Sequence, residues 1–453
     1  MNCSDLFYNS KSDSTTLHSR IKLSKNILDA GVAKKKSLID YLRTELEDSF
    51  DTDVKFWLQG SYKSSTLISP LDKDSTYDID IGIYLFYDCD FPDINAKEAK
   101  GILRQTLEFY CKTDTEAKIQ KSKNACEGLE FENFLTIDTP IYFMSTKSGS
   151  TPLLATDKGW LDSDPKAIQT WLTNAFSKHE ERALMKRIVR YFKAWANVQW
   201  KNSEFKKVPS LALNILVAKN LYIGNCELDS FEGTLSNICT SLEVRFTVFN
   251  PISNENILGM SDDETQFAKR KFEQLHSLYL RIKDEDDSTK AIEYSCIFEH
   301  YFPQISALTS SRLGDTVPVI SKIPEIYVER YDSSGNYLSG NITSEIEVRK
   351  GDSLTFKIKN IDDFIISDEV YWTVRNDGDQ SLNANDIGHR RTTKINESFQ
   401  RATSYTGTHS MECMVKSWGM ITGFSLVNVR VRPVAKISRT KKFKGLNKFG
   451  KRR

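Results

Sequence analysis

The 453-residue chain reads as an α+β protein in three parts: a sheet-and-helix lobe, a helical lobe and a β-sandwich-like C-terminal domain. Three observations predict it. Short β-rich runs alternate with helical stretches over residues 1–160, and helical spacing dominates residues 161–316. Alternating apolar and polar runs with little helical period then fill residues 317–435. The length is about three times the ~150 residues of an ordinary domain, so two or three cores are expected. Hydrophobic residues at 39%, charged at 27% and aromatic at 11% exclude disordered, collagen-like and disulfide-stapled classes.

Each element follows from local pattern. Ile21, Leu23, Ile27, Leu28, Ala30, Leu38, Ile39, Leu42 and Leu46 sit at helical spacing and predict one long helix over Thr16–Phe50, interrupted only at Gly31. FWLQG and YDIDIGIYLF between Val54 and Phe86 read as two strands, with a polar Ser-rich loop from Ser61 to Thr76 between them. Ala96–Lys112 is again helical, Phe131–Phe143 reads as one or two strands, and Lys147–Lys158 as a polar loop. Asp164–Phe302 is nearly all helical, with Asp164 as N-cap and Pro165 at the first helical position. After Val317 come YVERY, LTFKIKN, VYWTVRN and FSLVNVRVRP, the strands of a sandwich.

Charge and cysteine usage narrow the function. No apolar run approaches the ~20 residues that cross a bilayer. The start, MNCSDLFYNSKSDSTT, lacks the flank and apolar block of a signal peptide, so a cytoplasmic protein without membrane association is expected. Eight scattered cysteines contain no C-x-x-C pair for zinc or redox work, and the six histidines show no metal spacing. The net charge of +1 hides a tail, residues 436–453, with nine Lys or Arg and no acid, predicted to be disordered. The remainder holds 53 basic against 61 acidic residues, about −8, so only the tail's charge would favour nucleic acid.

The chemistry is concentrated in LQGSYKSSTLISPLDKDSTYDIDIGIYLF from Leu58. Strand alternation places Asp78 and Asp80 on one face, where two carboxylates repel unless a divalent cation neutralises them. Gly60 permits close backbone approach, and Ser61 offers a hydroxyl and an N–H, both suited to a triphosphate. Asp138 in FLTIDTPIYF supplies a third strand carboxylate, enough for a site of two ions: Mg²⁺, or Mn²⁺ in its place. No P-loop, nucleophile elbow or catalytic-cysteine signature is present.

Gly60-Ser61, Asp78-Ile79-Asp80 and Asp138 resemble the pattern of a polymerase-beta-like nucleotidyltransferase. More narrowly, GSYKSST…YDIDIGIYL, TIDTPIY, GWLDSDPKAIQTWL, RIVRYFKAWANVQW and VPSLALNILVA resemble the bacterial cGAS/DncV-like nucleotidyltransferases (CD-NTases) of anti-phage cyclic-oligonucleotide signalling, over residues 20–305. Sixteen residues separate Ser61 from Asp78, a long spacer familiar in that group. The resemblance implies that Lys193 contacts the triphosphate and that Ser210 lies near the donor nucleotide. It implies NTP substrates, a cyclic di- or trinucleotide product, and a separate effector protein that binds it. Residues 320–435, with Trp372, Val374, Asn376, Gly378, Tyr405, Gly407, His409 and Glu412, resemble the AGS-C sensor domain, which implies a ligand for the C-terminal unit. Arg390-Arg391 stands where many members have Arg-Gly. By residue pattern alone, Trp372 and Tyr405 read first as sandwich core.

Two other functions fit parts of the pattern. One is template-independent nucleotide transfer to RNA or to a protein hydroxyl, for which a body at about −8 offers no basic groove. The other is a catalytically silent nucleotide-sensing module, against which all three acids stand.

Overall fold

The computed structural model describes residues 2–305 and 322–433, apart from 13, 133 and 148. The boundary near Val317 and the tail from Lys436 lie outside the described residues. The chain opens with two short helices, α1 (Cys3–Phe7) and α2 (Leu17–Ile21), then the long α3 (Lys25–Phe50). The single helix expected over Thr16–Phe50 therefore breaks, and it breaks at Lys22–Ser24 rather than at Gly31. There the Ile21 carbonyl accepts the Ser69 N–H at 2.7 Å and the Lys22 carbonyl accepts the Ser69 hydroxyl at 2.9 Å, while Ser24 caps α3. Gly31 stays helical. Its missing side chain leaves room for the Tyr77 hydroxyl, which would lie 2.0 Å from a Cβ and which donates to the Ile27 carbonyl at 3.0 Å.

The first sheet is built on β2 (Tyr77–Tyr87), with β1 (Asp53–Gln59) antiparallel on one edge. A four-residue turn of helix, α4 (Gly60–Lys63), begins the connection between them. On the other edge lie β5 (Leu135–Thr139) and β6 (Ile141–Ser145), both parallel to β2 and joined through Pro140, whose carbonyl accepts the Ile83 N–H at 2.9 Å. α5 (Ala96–Thr113) precedes β3 (Ala117–Ile119) and β4 (Glu127–Phe131), which extend the sheet beyond β5. β7 (Leu153–Thr156) and β8 (Gly159–Asp162) extend it beyond β6. The polar loop expected over Lys147–Lys158 thus contains a strand, because Leu153 and Leu154 pair with Phe143 and Tyr142. Alternation sends Ile79, Ile81, Ile83 and Leu85 of β2 onto Leu38, Leu42 and Leu46 of α3 and Leu103 and Leu107 of α5, all fully buried. Each such side chain contributes about 1.5–3 kcal/mol on burial. The opposite face of β2 is left for the site.

The helical lobe comprises α6 (Pro165–Asn174), α7 (His179–Trp200), α8 (Ser210–Asn220), α9 (Glu227–Glu243), α10 (Asp262–Ile282) and α11 (Asp287–Phe298). Residues 244–261 depart from the expected helix and carry an antiparallel bridge between Phe249 and Asn256. α7 is central and buried on nearly all sides. Tyr191, Phe192 and Trp195 pack there with Phe231 and Phe272. Cys3, Phe7, Leu17 and Ile21 join this core rather than the sheet's, with Phe7 edge-on to Tyr191, Tyr294, Phe298 and Phe302.

The C-terminal part is two packed sheets. One has β9 (Ile326–Tyr331), β10 (Tyr337–Ile342), β12 (Ser353–Ile358) and β15 (Phe399–Ala402) in the order β10-β9-β12-β15. The other runs β11-β17-β16-β13-β14, from β11 (Glu345–Arg349), β13 (Glu369–Asn376), β14 (Gly388–Lys394), β16 (Gly407–Ser417) and β17 (Met420–Arg432), with a short α12 (Asp379–Asn383) after β13. Trp372 is core: fully buried, it stacks on Phe399 and donates to Thr393. The second sheet is buried on both faces. Met411, Cys413 and Val415 point into the sandwich, whereas Met414, Phe424 and Leu426 belong to the helical lobe's core.

Three arginines fix this contact. Arg20 of α2 donates to the carbonyls of His300 at 3.0 Å and Ile387 at 2.7 Å, and pairs with Asp377 at 2.8 Å. Arg375 donates to the Phe302 and Glu299 carbonyls and forms a fully buried ion pair with Glu412 at 2.5 Å. Arg390 reaches the Ser295 and Cys296 carbonyls at 3.0 and 3.2 Å, so the first of the two arginines at the Arg-Gly position holds the helical lobe.

Candidate active site

The register of three strands assembles the candidate acids. Asp80 lies opposite Gln59 of β1 and opposite Asp138 of β5, and Asp78 lies opposite Thr136. The Gly60-Ser61 turn follows directly on Gln59, so it stands over Asp80. Gly60 has φ +60°, and a Cβ there would lie 2.0 Å from Asp80 Oδ2, so both the turn and the carboxylate require glycine.

The helical lobe closes on the same point. Lys193, on α7 and only 5% exposed, donates to the Ser61 hydroxyl at 2.8 Å and to the Thr66 carbonyl and hydroxyl at 3.1 Å each. Ser210, the first residue of α8, lies on the cleft wall. The cleft, about 350 Å³, is lined by Gly60, Ser61, Asp78, Asp80, Asp138 and Ser210, with Ile168, Gln169 and Leu172 of α6 opposite. Asp164 caps α6 by accepting the Ala167 N–H at 2.9 Å. A side cavity of about 120 Å³ shares Ser61, Asp78 and Ser210 with the cleft and is lined by Lys193 and Lys207. Gly60, Ser61, Asp78, Asp80, Asp138, Lys193 and Ser210 therefore line two neighbouring cavities that share three residues.

Electrostatics distinguish the members. Burial raises the Asp80 carboxyl to about 6, with Asp138 and Asp78 adding repulsion. Burial also raises Asp78, opposed by the hydrogen bond from the Thr136 hydroxyl. Lys193 is lowered to about 7 by burial and then by Arg190 and Lys207. Lys207 is likewise lowered by burial, against the attraction of Asp78.

Three residues at the site were not singled out in the sequence. Lys123 donates to both oxygens of Asp138, at 2.6 and 2.7 Å. Lys207 lies in a run, KNSEFKKVPS, that gives no hint of direction. Asn214 of α8, 4% exposed, borders the cleft, and its Oδ1 has no partner among the described residues. The six histidines and eight cysteines are absent from the described lining of both cavities, and the cysteines are all free. Three carboxylates and no nitrogen or sulfur make a donor set suited to a hard divalent cation. As the side chains stand, however, no three acidic, His or Cys groups among the described residues gather tightly enough to hold one ion.

Comparison with known proteins gives the class first. Residues 54–142 match the family described as Cyclic GMP-AMP synthase DncV-like, nucleotidyltransferase domain, and the sheet, turn and cleft are those of a nucleotidyltransferase. Residues 311–432 match the Adenylyl/Guanylyl and SMODS C-terminal sensor domain. A curated Cyclic GMP-AMP synthase of Escherichia albertii is 51% identical over 439 residues, which cover 97% of this chain and 98% of the relative. The chain therefore belongs to the DncV-like cyclic GMP-AMP synthase family and is an enzyme of nucleotidyl transfer. Vibrio cholerae DncV in its 3′-deoxy GTP bound form shares the fold at TM-score 0.56 and 18% identity, over 67% of this chain and 96% of that one. Escherichia coli DncV in the same form gives 0.53 and 18%, over 66% and 96%. Among the described residues no helix is long and apolar enough to cross a membrane.

Proposed function

We propose that this chain joins ATP and GTP in two successive transfers into cyclic GMP-AMP, releasing pyrophosphate each time. The observation that carries the reading is the cross-strand register: Gly60-Ser61 stands over Asp80, and Asp80 stands opposite Asp138. The 51% identity to a Cyclic GMP-AMP synthase over nearly the whole chain supports the choice of nucleotides. Gly60 and Ser61 cradle the donor triphosphate, and the ammonium of Lys193, already on the Ser61 hydroxyl, meets its charge. Ser210 lines the donor side, and Lys207 adds positive charge in the side cavity.

Asp78, Asp80 and Asp138 would hold divalent cations, Mg²⁺ or Mn²⁺, two at a time. Bound there, such ions neutralise the phosphates and acidify the attacking ribose hydroxyl. The acceptor's hydroxyl oxygen bonds to the donor α-phosphorus in line, its proton passes to the carboxylate cluster, and the bond to pyrophosphate breaks. A second transfer closes the ring. The product serves as a cytoplasmic second messenger read by a separate effector in anti-phage defence, with the C-terminal unit taking its own ligand as sensor.

The test incubates purified protein with the four labelled NTPs and Mg²⁺ or Mn²⁺, then treats with phosphatase and weighs the small products. A phosphatase-resistant species containing one A and one G is the expected result. Label in RNA or protein would overturn it in favour of another acceptor. The Asp78→Asn, Asp80→Asn double variant should lose pyrophosphate release by roughly 100-fold or more; equal rates would remove the site assignment.

A further inference from the structure

Lys123 is held in place by more structure than a surface hairpin needs. It sits at the end of β3's return toward β4, where Lys123 and Cys126 form an isolated bridge. Behind that turn lies Lys100 of α5, 4% exposed, whose ammonium donates to the Lys123 carbonyl at 2.6 Å, the Asn124 carbonyl at 3.1 Å and Asp157 at 2.5 Å. The Asp157 N–H in turn donates to the Asn124 carbonyl at 3.1 Å. Glu127, 2% exposed, accepts from Arg104 at 2.9 Å and from Ser122 at 2.5 Å, and Arg104 also holds the Gln120 carbonyl at 3.2 Å. Burying a lysine and a glutamate is costly unless every group is partnered. Here Glu127 takes the Arg104 guanidinium and the Ser122 hydroxyl, and Lys100 takes Asp157 and two backbone carbonyls of the turn itself, so the network fixes where Lys123 begins.

From that fixed origin the Lys123 side chain reaches Asp138 and donates to both its oxygens. Asp78 meanwhile accepts from the Thr136 hydroxyl. Asp138 and Asp78 are thus each engaged by a neighbouring side chain, and among the described residues no three His, Cys, Asp or Glu groups stand gathered to hold an ion. An ammonium stands on the carboxylate face that a divalent cation would need. The Lys123 side chain is 48% exposed, and the buried network holds its carbonyl rather than its ammonium, so the ammonium can swing away while the turn stays fixed.

We propose that Lys123 is a displaceable counter-ion: it holds Asp138 while no divalent cation is bound and yields the carboxylate when one binds. The proposal rests on the reading of Asp78, Asp80 and Asp138 as cation ligands. It makes Lys123 a positioning residue that restrains the acids in the resting site and opposes cation entry, so removing its charge strengthens cation binding. A lysine that merely braced Asp138 would do the reverse.

The experiment measures Mn²⁺ binding to full-length protein without nucleotide, by calorimetry and by the loss of the free-Mn²⁺ spin-resonance signal. Wild type, Lys123→Met, Lys123→Arg and Asp138→Asn are compared. Methionine keeps the apolar stem and removes the charge, so the turn's packing is retained. Expected is Mn²⁺ binding roughly threefold tighter in Lys123→Met, the scale of a partly exposed ion pair, with Lys123→Arg near wild type. Unchanged or weaker binding in Lys123→Met, with wild-type binding that Asp138→Asn abolishes, would overturn the counter-ion and leave the cation site standing. Wild-type protein that binds no Mn²⁺ would overturn both.

Discussion

At the scale of single residues, Gly60 and Lys193 carry the sharpest expectations. Gly60 is constrained twice, by a φ of +60° and by Asp80 Oδ2 within 2.0 Å of any Cβ. The left-handed backbone costs an alanine about 1–2 kcal/mol, whereas the displaced carboxylate spoils the site. Gly60→Ala should therefore lower kcat/KM by roughly 100-fold while shifting the urea midpoint only modestly. Lys193 has a pKa pushed below its ordinary value to about 7, so its buried charge costs stability fully below about 7 and not at all above 10.5. For catalysis the sign is opposite. The free enzyme needs the ammonium to meet a triphosphate, so kcat/KM for NTPs should fall as pH rises through about 7, and Lys193→Arg should flatten that limb in a pH profile. Asp78, Asp80 and Asp138 were legible in the sequence because a period of two and a strand's apolar flanks fix which way a side chain points. Lys123 was not, since KIQKSKN offers Lys118, Lys121 and Lys123 alike, and the choice among them is made by Lys100, more than twenty residues earlier.

At the scale of elements, the sequence marks apolar periods well and misses contacts that consume backbone groups. The break between α2 and α3 is such a contact. Its carbonyls are taken by Ser69, whose own carbonyl accepts the hydroxyl of the fully buried Tyr301 at 2.7 Å. β7 escapes the sequence pattern for a related reason: four residues, Leu153–Thr156, become a strand because β8 lies along one side and β6 along the other. The loop after Gly60-Ser61 thus rests on α2 at one end and on Lys193 at the other. Tyr301→Phe leaves the buried Ser69 carbonyl short of a donor, and should cost about 1–2 kcal/mol in a denaturant titration.

At the scale of the whole molecule, the second sandwich sheet and the helical lobe are one continuous core, and thermal unfolding should show them melting together. Arg375→Met strands Glu412 in that core, 1% exposed, and should cost about 3–5 kcal/mol. Adding Glu412→Leu should restore part of the loss but not all, because Arg375 also serves the Phe302 and Glu299 carbonyls. A calorimetric scan of the single and double variants checks this. The sandwich itself was legible from its alternation, yet its outer face was not, because MECMVKS reads the same whether Met414 meets water or helices.

That double-sided sheet bears on how such enzymes can diversify. A unit joined by a flexible tether can be exchanged for another by recombination at the tether. Here a replacement would also have to supply counterparts of Met414, Phe424 and Leu426 against α11 and its neighbours, and arginines aimed at the same carbonyls. Change in this unit should therefore come by substitution around the far rim of the sandwich, with the sheet that meets the helices inherited as part of the enzyme.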